Sequence, residues 1–188
     1  MKKSKKQLPN PNFLLLSNLS NILGFAMFLP LYGAFIVSLG QKPETGSFLW
    51  SAHTLVTGVL VLIFGRIEDK KSSLFPRSLI GGNILQVAGV VGFLASNSFM
   101  TFAISLMVYS VGTAILAPAW FTLFSRGMHN KHVARGWSYA QSGAAFSGAL
   151  GAVIGGFIFS YYGYNGVFAV TALMHFVGLL FAVRAMRH

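Results

Sequence analysis

Few residues in this chain are equipped for chemistry: it has five histidines, three acids and no cysteine. Without cysteine there are no disulfides and no thiolate metal sites. The acids are Glu44, Glu68 and Asp69, and all three are expected in loops between apolar stretches. Paired carboxylates buried for hydrolysis are therefore missing, and no Gly-x-Ser-x-Gly element marks a serine nucleophile. His129 and His132 stand three positions apart, but in a basic segment without an acidic companion they make a weak zinc set. These residues predict no enzyme activity, no metal and no cofactor. His53 and His175 remain, each inside an apolar stretch. A histidine there titrates near neutral pH, so it can couple protons or touch a solute, or it can simply hydrogen-bond between helices. The second reading is the simpler for both, and His53 is retained as a candidate for the first.

The elements that must position these groups are six apolar stretches: Phe13–Leu39, Phe48–Phe64, Leu79–Ala95, Met100–Phe124, Trp137–Phe159 and Val167–Val183. Each is near or above the roughly 17–25 residues that cross a bilayer core as a helix. An all-α membrane protein with six transmembrane helices follows, with residues 1–12 as a basic tail and 13–188 as the transmembrane domain. The first stretch is too long for a signal peptide and lacks a clean cleavage site, so it is expected to stay. Of fourteen Lys and Arg residues, all but Lys42 fall at one set of helix ends: Lys2, Lys3, Lys5 and Lys6; Arg66, Lys70, Lys71 and Arg77; Arg126, Lys131 and Arg135; Arg184 and Arg187. Positively charged loops stay in the cytoplasm, so both termini are predicted to be cytoplasmic, in a plasma (inner) membrane. A mean hydropathy of +0.65 does not suit a soluble domain. The net charge of +11 is explained by this sorting and by the anionic inner leaflet rather than by nucleic acid.

Polar and small residues then mark helix faces. Ser17, Asn18, Ser20 and Asn21 stand in the first half of helix 1, and Pro30 is expected to kink its second half. At that depth such side chains should face protein or water. Helix 5 carries Gly143, Gly148, Gly151, Gly155 and Gly156 among alanines and serines. A surface this bare lets another helix approach closely. That helix belongs either to the same chain or to a partner.

Several short stretches resemble those of the major facilitator superfamily. Gly65-Arg-Ile-Glu-Asp69-Lys70-Lys71 is similar to the family's loop 2–3 signature, with departures at Ser72 and Ser73. Gly112 with Pro118-Ala119 is similar to its helix 4 pattern, although Val108 stands where an arginine is common. Arg135-Gly136, Gly151-Ala-Val-Ile-Gly155-Gly156 and Gly163-Tyr-Asn-Gly-Val-Phe168 follow in family order, with Ala152 in place of a proline. The resemblance covers essentially the whole chain and corresponds to the amino-terminal half of a twelve-helix facilitator.

The resemblance implies a transporter whose pathway lies between two six-helix halves. Here it implies a parallel homodimer that completes twelve helices, with lipid, a second copy and a small-molecule substrate as partners. Helices 2 and 5 would meet their equivalents, and the bare face of helix 5, with Gly148, Gly151, Gly155 and Gly156, suits that contact. By the same resemblance Gly65, Asp69 and Lys70 form a gate, with Asp69 facing the start of the partner's helix 5 near Arg135, or pairing with Arg126. Helices 1 and 4 would line the cavity, pointing to Asn21, Tyr32, Tyr109, Thr113 and Trp120, with Gln141 from helix 5 and His53 from helix 2. These neutral groups suit an uncharged, amphipathic or weakly cationic solute. They equally suit helix-to-helix hydrogen bonding. The missing membrane carboxylate favours facilitated diffusion. The competing readings are a half that needs a separate carboxy-terminal-half chain, and a non-transporting scaffold.

Overall fold

Pro11 starts the first helix, where its missing N–H costs nothing, and the side chain of Asn10 caps it by accepting from the Asn12 N–H at 3.0 Å. The computed structural model describes residues 9–128 and 132–187, and within these every regular element is helical. Lys2, Lys3, Lys5, Lys6, His129 and Lys131 lie outside the described residues. Helix α1 (Pro11–Phe28) ends before Pro30, a short 3-10 turn carries Leu29–Leu31, and the helix resumes as α2 (Tyr32–Ser38). The expected kink is therefore a tightened turn, which replaces the hydrogen bond that proline cannot make.

Helix α3 (Pro43–Lys70) extends well beyond its apolar stretch at both ends. This corrects the expected loop positions of the acids. Glu44 sits in the first turn, and Gly65, Glu68, Asp69 and Lys70 ride on the last turns of the helix. The helix continues because Pro43 suits a first turn and Lys70 suits the negative end of the helix dipole. Helix α4 (Phe75–Leu94) follows a 3-10 turn, and α5 (Phe99–Gly127) begins with a capping box between Ser98 and Thr101.

The last element, α6 (Val133–Arg187), runs unbroken in hydrogen bonding except at Gly163, with φ 62° and ψ −162°. Only glycine occupies that region readily. The two arms it separates both pack on α1, in opposite directions. Gly143 meets Leu19 and Gly155 meets Met27, whereas beyond the break Thr171 bonds Gly24 and Gly178 meets Asn21. Residue 163 is thus the tip of a hairpin, and six helical arms run back and forth between two ends. Five elements hold stretches long and apolar enough to cross a membrane, the folded α6 among them.

One end gathers the basic segments. The Asn10 N–H reaches the Ala185 carbonyl at 3.2 Å, Arg184 lies over Phe13, and Arg126 lies over Phe75 at 4.8 Å. The far end is sealed by aromatic rings. Phe28 is its hub, with Tyr32, Phe35, Phe93, Phe102 and Phe168 at centroid distances of 4.9 to 6.1 Å. Edge-to-face and tilted pairs of this kind add about 0.5–1.5 kcal/mol each beyond their burial. Between the ends α4 packs along α5, α3 leans on α5, and α1 lies between the two arms of α6.

The glycines of the first α6 arm divide by direction. Gly151 faces the Leu23 carbonyl and Ala26, and Gly155 faces the Met27 carbonyl, so both serve contact with α1 of the same chain. Gly148 and Gly156 have nothing within 4 Å. A methyl group at Gly155 would meet backbone, which cannot swing aside. Gly155→Ala is expected to destabilise the detergent-solubilised chain by about 1–3 kcal/mol. Gly81→Ala, at an open helical position, should instead stabilise it by up to about 1 kcal/mol. Thermal unfolding of the two variants beside the parent checks the pair.

Candidate functional site

A single arm of polar residues on α1 sets the site. Ser17 and Asn21 are buried, one turn apart, and Asn18 lies beside them. The Asn21 amide donates to the Asn83 carbonyl oxygen at 2.9 Å and to that of Gln86 at 3.2 Å, which ties α1 to α4. Gln86 donates in turn to the Thr113 hydroxyl at 3.0 Å, and Thr113 to the Tyr109 carbonyl at 3.0 Å. Asn83 donates to the Leu79 carbonyl at 2.8 Å. These bonds join three helices at mid-depth, where lipid could not satisfy them.

The network continues behind Tyr109. Its hydroxyl is 3.4 Å from His175 Nε2, while His175 Nδ1 is 2.9 Å from the Thr171 carbonyl. A carbonyl only accepts, so Nδ1 carries the proton and Nε2 accepts from the tyrosine. His175 is thereby a wholly buried, hydrogen-bonded residue between α5 and the second α6 arm. His53 is nine-tenths buried. Its Nδ1 lies 2.6 Å from the Ser110 hydroxyl, whose own proton goes to the Leu106 carbonyl at 2.7 Å. His53 therefore donates to Ser110.

In front of this network lies a cleft of about 490 Å³ between α1, α5 and the first α6 arm, floored by Gln86. That volume is in the range of small-molecule sites. Of the residues singled out in the sequence, it brings together Asn21, Tyr109, Thr113, Trp120 and Gln141. Tyr32 and His53 stand apart from it. Tyr32 donates to the Gly46 carbonyl at 2.9 Å in the far-end aromatic seal, and His53 is held against α5. Sequence reasoning missed Asn18, Gln86 and Trp137 as lining residues, and it left Phe25 open between lipid and cavity. Asn83 and Gln86 had a usable signal, two amides at helical spacing in an otherwise apolar helix.

The two ends of the cleft are aromatic. Phe25 stacks on Tyr109 at 4.9 Å toward the far end. Toward the basic end Trp120 stacks on Phe124 at 4.9 Å, and Trp137 stands edge-on to it at 6.1 Å. The Trp120 indole N–H is spent on the Leu14 carbonyl at 2.9 Å. Asn18 and Gln141 differ from the buried amides: neither forms a hydrogen bond among the described residues, so both remain available to a solute. Among the described residues, no charged side chain lines the cleft. The arrangement can hold a small molecule through two free amides and several ring faces, which also attract a diffuse cation.

The residues that the sequence resemblance marks as a gate lie at the basic end, outside the cleft lining. A β-carbon added at Gly65 would stand 3.9 Å from Pro118 of α5. Asp69 and Lys70 are exposed, and no ion pair joins Asp69 to Arg126 among the described residues. The Arg126 guanidinium covers Phe75 instead, and Arg135 donates to the Tyr139 hydroxyl at 2.8 Å.

The model of the family described as Major Facilitator Superfamily matches residues 14–188, from the first turns of α1 through the second arm of α6. No curated protein matches the chain significantly.

Asn21 is the donor that both Asn83 and Gln86 require. Asn21→Ala is expected to cost about 1–2 kcal/mol, since interhelical hydrogen bonds in membranes average about 0.6 kcal/mol each and reach about 1.7. Gln141→Ala, on the cleft rim, should leave stability within about 0.5 kcal/mol. Unfolding titrations of both variants in mixed micelles check the contrast.

Proposed function

This chain belongs to the Major Facilitator Superfamily, and as a membrane transporter of that type we propose that it moves a small uncharged, amphipathic or weakly cationic solute by alternating access, with a second copy of itself as the facing wall. The observation that carries the reading is the cleft: amides and aromatic faces without a charge, and Gln141 and Phe121 exposed on its rim. A multiply charged anion would call for a lysine or arginine there.

In this reading the six helical arms are six membrane spans. The positive-inside rule puts the basic end, with both termini, in the cytoplasm of a plasma (inner) membrane. The cytoplasmic end of the cleft is then the one bounded by Trp120 and Trp137, and the outer end the one sealed by the Phe28 cluster. Opening to one side at a time requires these two aromatic groups to loosen in turn.

A second body is favoured by what flanks the cleft. Helix α3 leans on α5 along one side and buries few of its residues, with Phe48 75 % and Leu55 70 % exposed. The first α6 arm leaves Gly148 and Gly156 open beside exposed Ala145 and Ala149. Lipid has no use for so bare a surface, whereas a helix does. Two-fold pairing is the commonest closure for identical chains, and it gives two copies of one cleft a shared space. The same pairing offers Asp69 a partner: the start of the opposite α6 near Arg135, where a carboxylate at a helix amino terminus gains about 0.3–1 kcal/mol.

Native mass spectrometry of the chain released from nanodiscs tests the pairing. The expected mass is that of two chains. Gly156→Leu, at a position where an added β-carbon meets nothing within 4 Å, should weaken the pair about tenfold or more while the fold persists. A wild-type mass of one chain would remove the self-paired transporter and point to a different six-helix body on the same face.

A further inference from the structure

The acid that the gate motif does not require is the most deeply placed one. Glu68 lies in the last turn of α3, past the apolar stretch that ends at Phe64, yet it is only 1 % exposed. Neither of its carboxylate oxygens has a hydrogen-bond partner. The charged groups around it point elsewhere. Arg66, Asp69 and Lys70 on the same helix, Lys71 in the following turn and Arg77 on α4 are all exposed, and Arg126 of α5 covers Phe75. None of them forms an ion pair with Glu68 among the described residues.

An ionised carboxylate shut away from water and from cations costs several kcal/mol, and a bound proton removes that cost. The carboxy-terminal end of α3 adds to the penalty, because the helix dipole is negative there. The Ser78 hydroxyl of α4 lies near the carboxyl without forming a hydrogen bond to it, and Asp69 is a second acid close by.

We propose that Glu68 is a proton-binding site at the basic ends of α3 and α4, loaded while this corner is packed and emptied to the adjoining solution when it opens. On opening, the carboxyl O–H bond breaks, the proton passes to water, and the carboxylate that remains is solvated. Closing the corner requires a proton to be taken up again. This gives the conformational cycle a dependence on pH at the basic side, which an acid-free membrane interior would not predict. The site rests on the packing of one chain and not on the pairing of two.

The scarcity of acids makes the test clean, since Glu44, Glu68 and Asp69 are the only acidic side chains. Infrared spectra of the chain in nanodiscs at neutral pH read the carbonyl stretch of a protonated carboxyl directly. The expected band moves on carbon-13 labelling of glutamate, survives Glu44→Gln and disappears in Glu68→Gln. No such band in the folded wild-type chain, or a band that survives Glu68→Gln, overturns the proposal. Should Glu68→Gln fold poorly, the labelling shift in the Glu44→Gln background still assigns the band. A second readout is stability against pH. The folded chain holds a proton that the unfolded chain releases near the ordinary glutamate value of about 4.3. Wild-type stability should therefore fall as pH rises above that value. Glu68→Gln should lack that fall, and an identical slope in both proteins would also overturn the proposal.

Discussion

A bilayer core supplies no hydrogen-bond partners, so every amide placed there must be matched inside the protein. Much of this fold is arranged around that constraint at the Asn21 amide nitrogen, although the Asn21 Oδ1 is buried without a partner. Its single amide nitrogen serves two acceptors on α4, which fixes the rotation of α1 about its own axis. With that face turned inward, Gly24 meets the second α6 arm, and the Leu23 and Met27 carbonyls lie where only Gly151 and Gly155 of the first arm can approach. The same rotation presents Asn18, Ile22 and Phe25 to the cleft. A polar residue that looks like a solute contact in the sequence is, first, the pin that holds the wall of the cleft in place.

This explains which parts were legible in advance. Hydropathy and charge sorting marked the apolar stretches, because both follow from transfer energies that depend on residue type alone. Pro30 announced the break between α1 and α2 for a reason equally local. The ends of α3 were not legible, since nothing in hydropathy stops a helix that extends into water; Glu68 and Asp69 consequently moved from an expected loop onto a helix. Direction on a small-residue helix was not legible either. Gly151 and Gly155 look alike in sequence to Gly148 and Gly156, yet the first two face α1, while Gly148 lines the cleft and Gly156 borders open space. The aromatic residues posed the same problem. Tyr32 and Tyr109 are both polar-tipped rings in apolar helices, but only Tyr109 reaches the cleft, because Tyr32 lies beyond the Pro30 turn in the far-end seal.

Function is distributed unevenly along the molecule as a result. The far end is a continuous set of ring contacts around Phe28, with few polar groups to rearrange. The basic end holds the exposed charges, the α3–α4 corner with its unpartnered Glu68, and the Trp120–Trp137 contact between two helices that otherwise part around the cleft. Packed interiors switch between discrete arrangements rather than deform smoothly. In the proposed cycle the elements with unspent interactions at the basic end adopt the second arrangement, and the Asn21 network at mid-depth is the fixed reference for both.

The account stands on the cleft being a wet solute site rather than a lipid-filled groove. Because the chain has no cysteine, single cysteines can be introduced without removing any. The most direct measurement is the rate at which a membrane-impermeant, water-soluble maleimide labels Asn18→Cys and Gln141→Cys in proteoliposomes, against Leu173→Cys on the exposed face of the second α6 arm. The account predicts labelling at both cleft positions, slowed by a bound solute, and little at residue 173. Cleft positions as unreactive as residue 173 would contradict it.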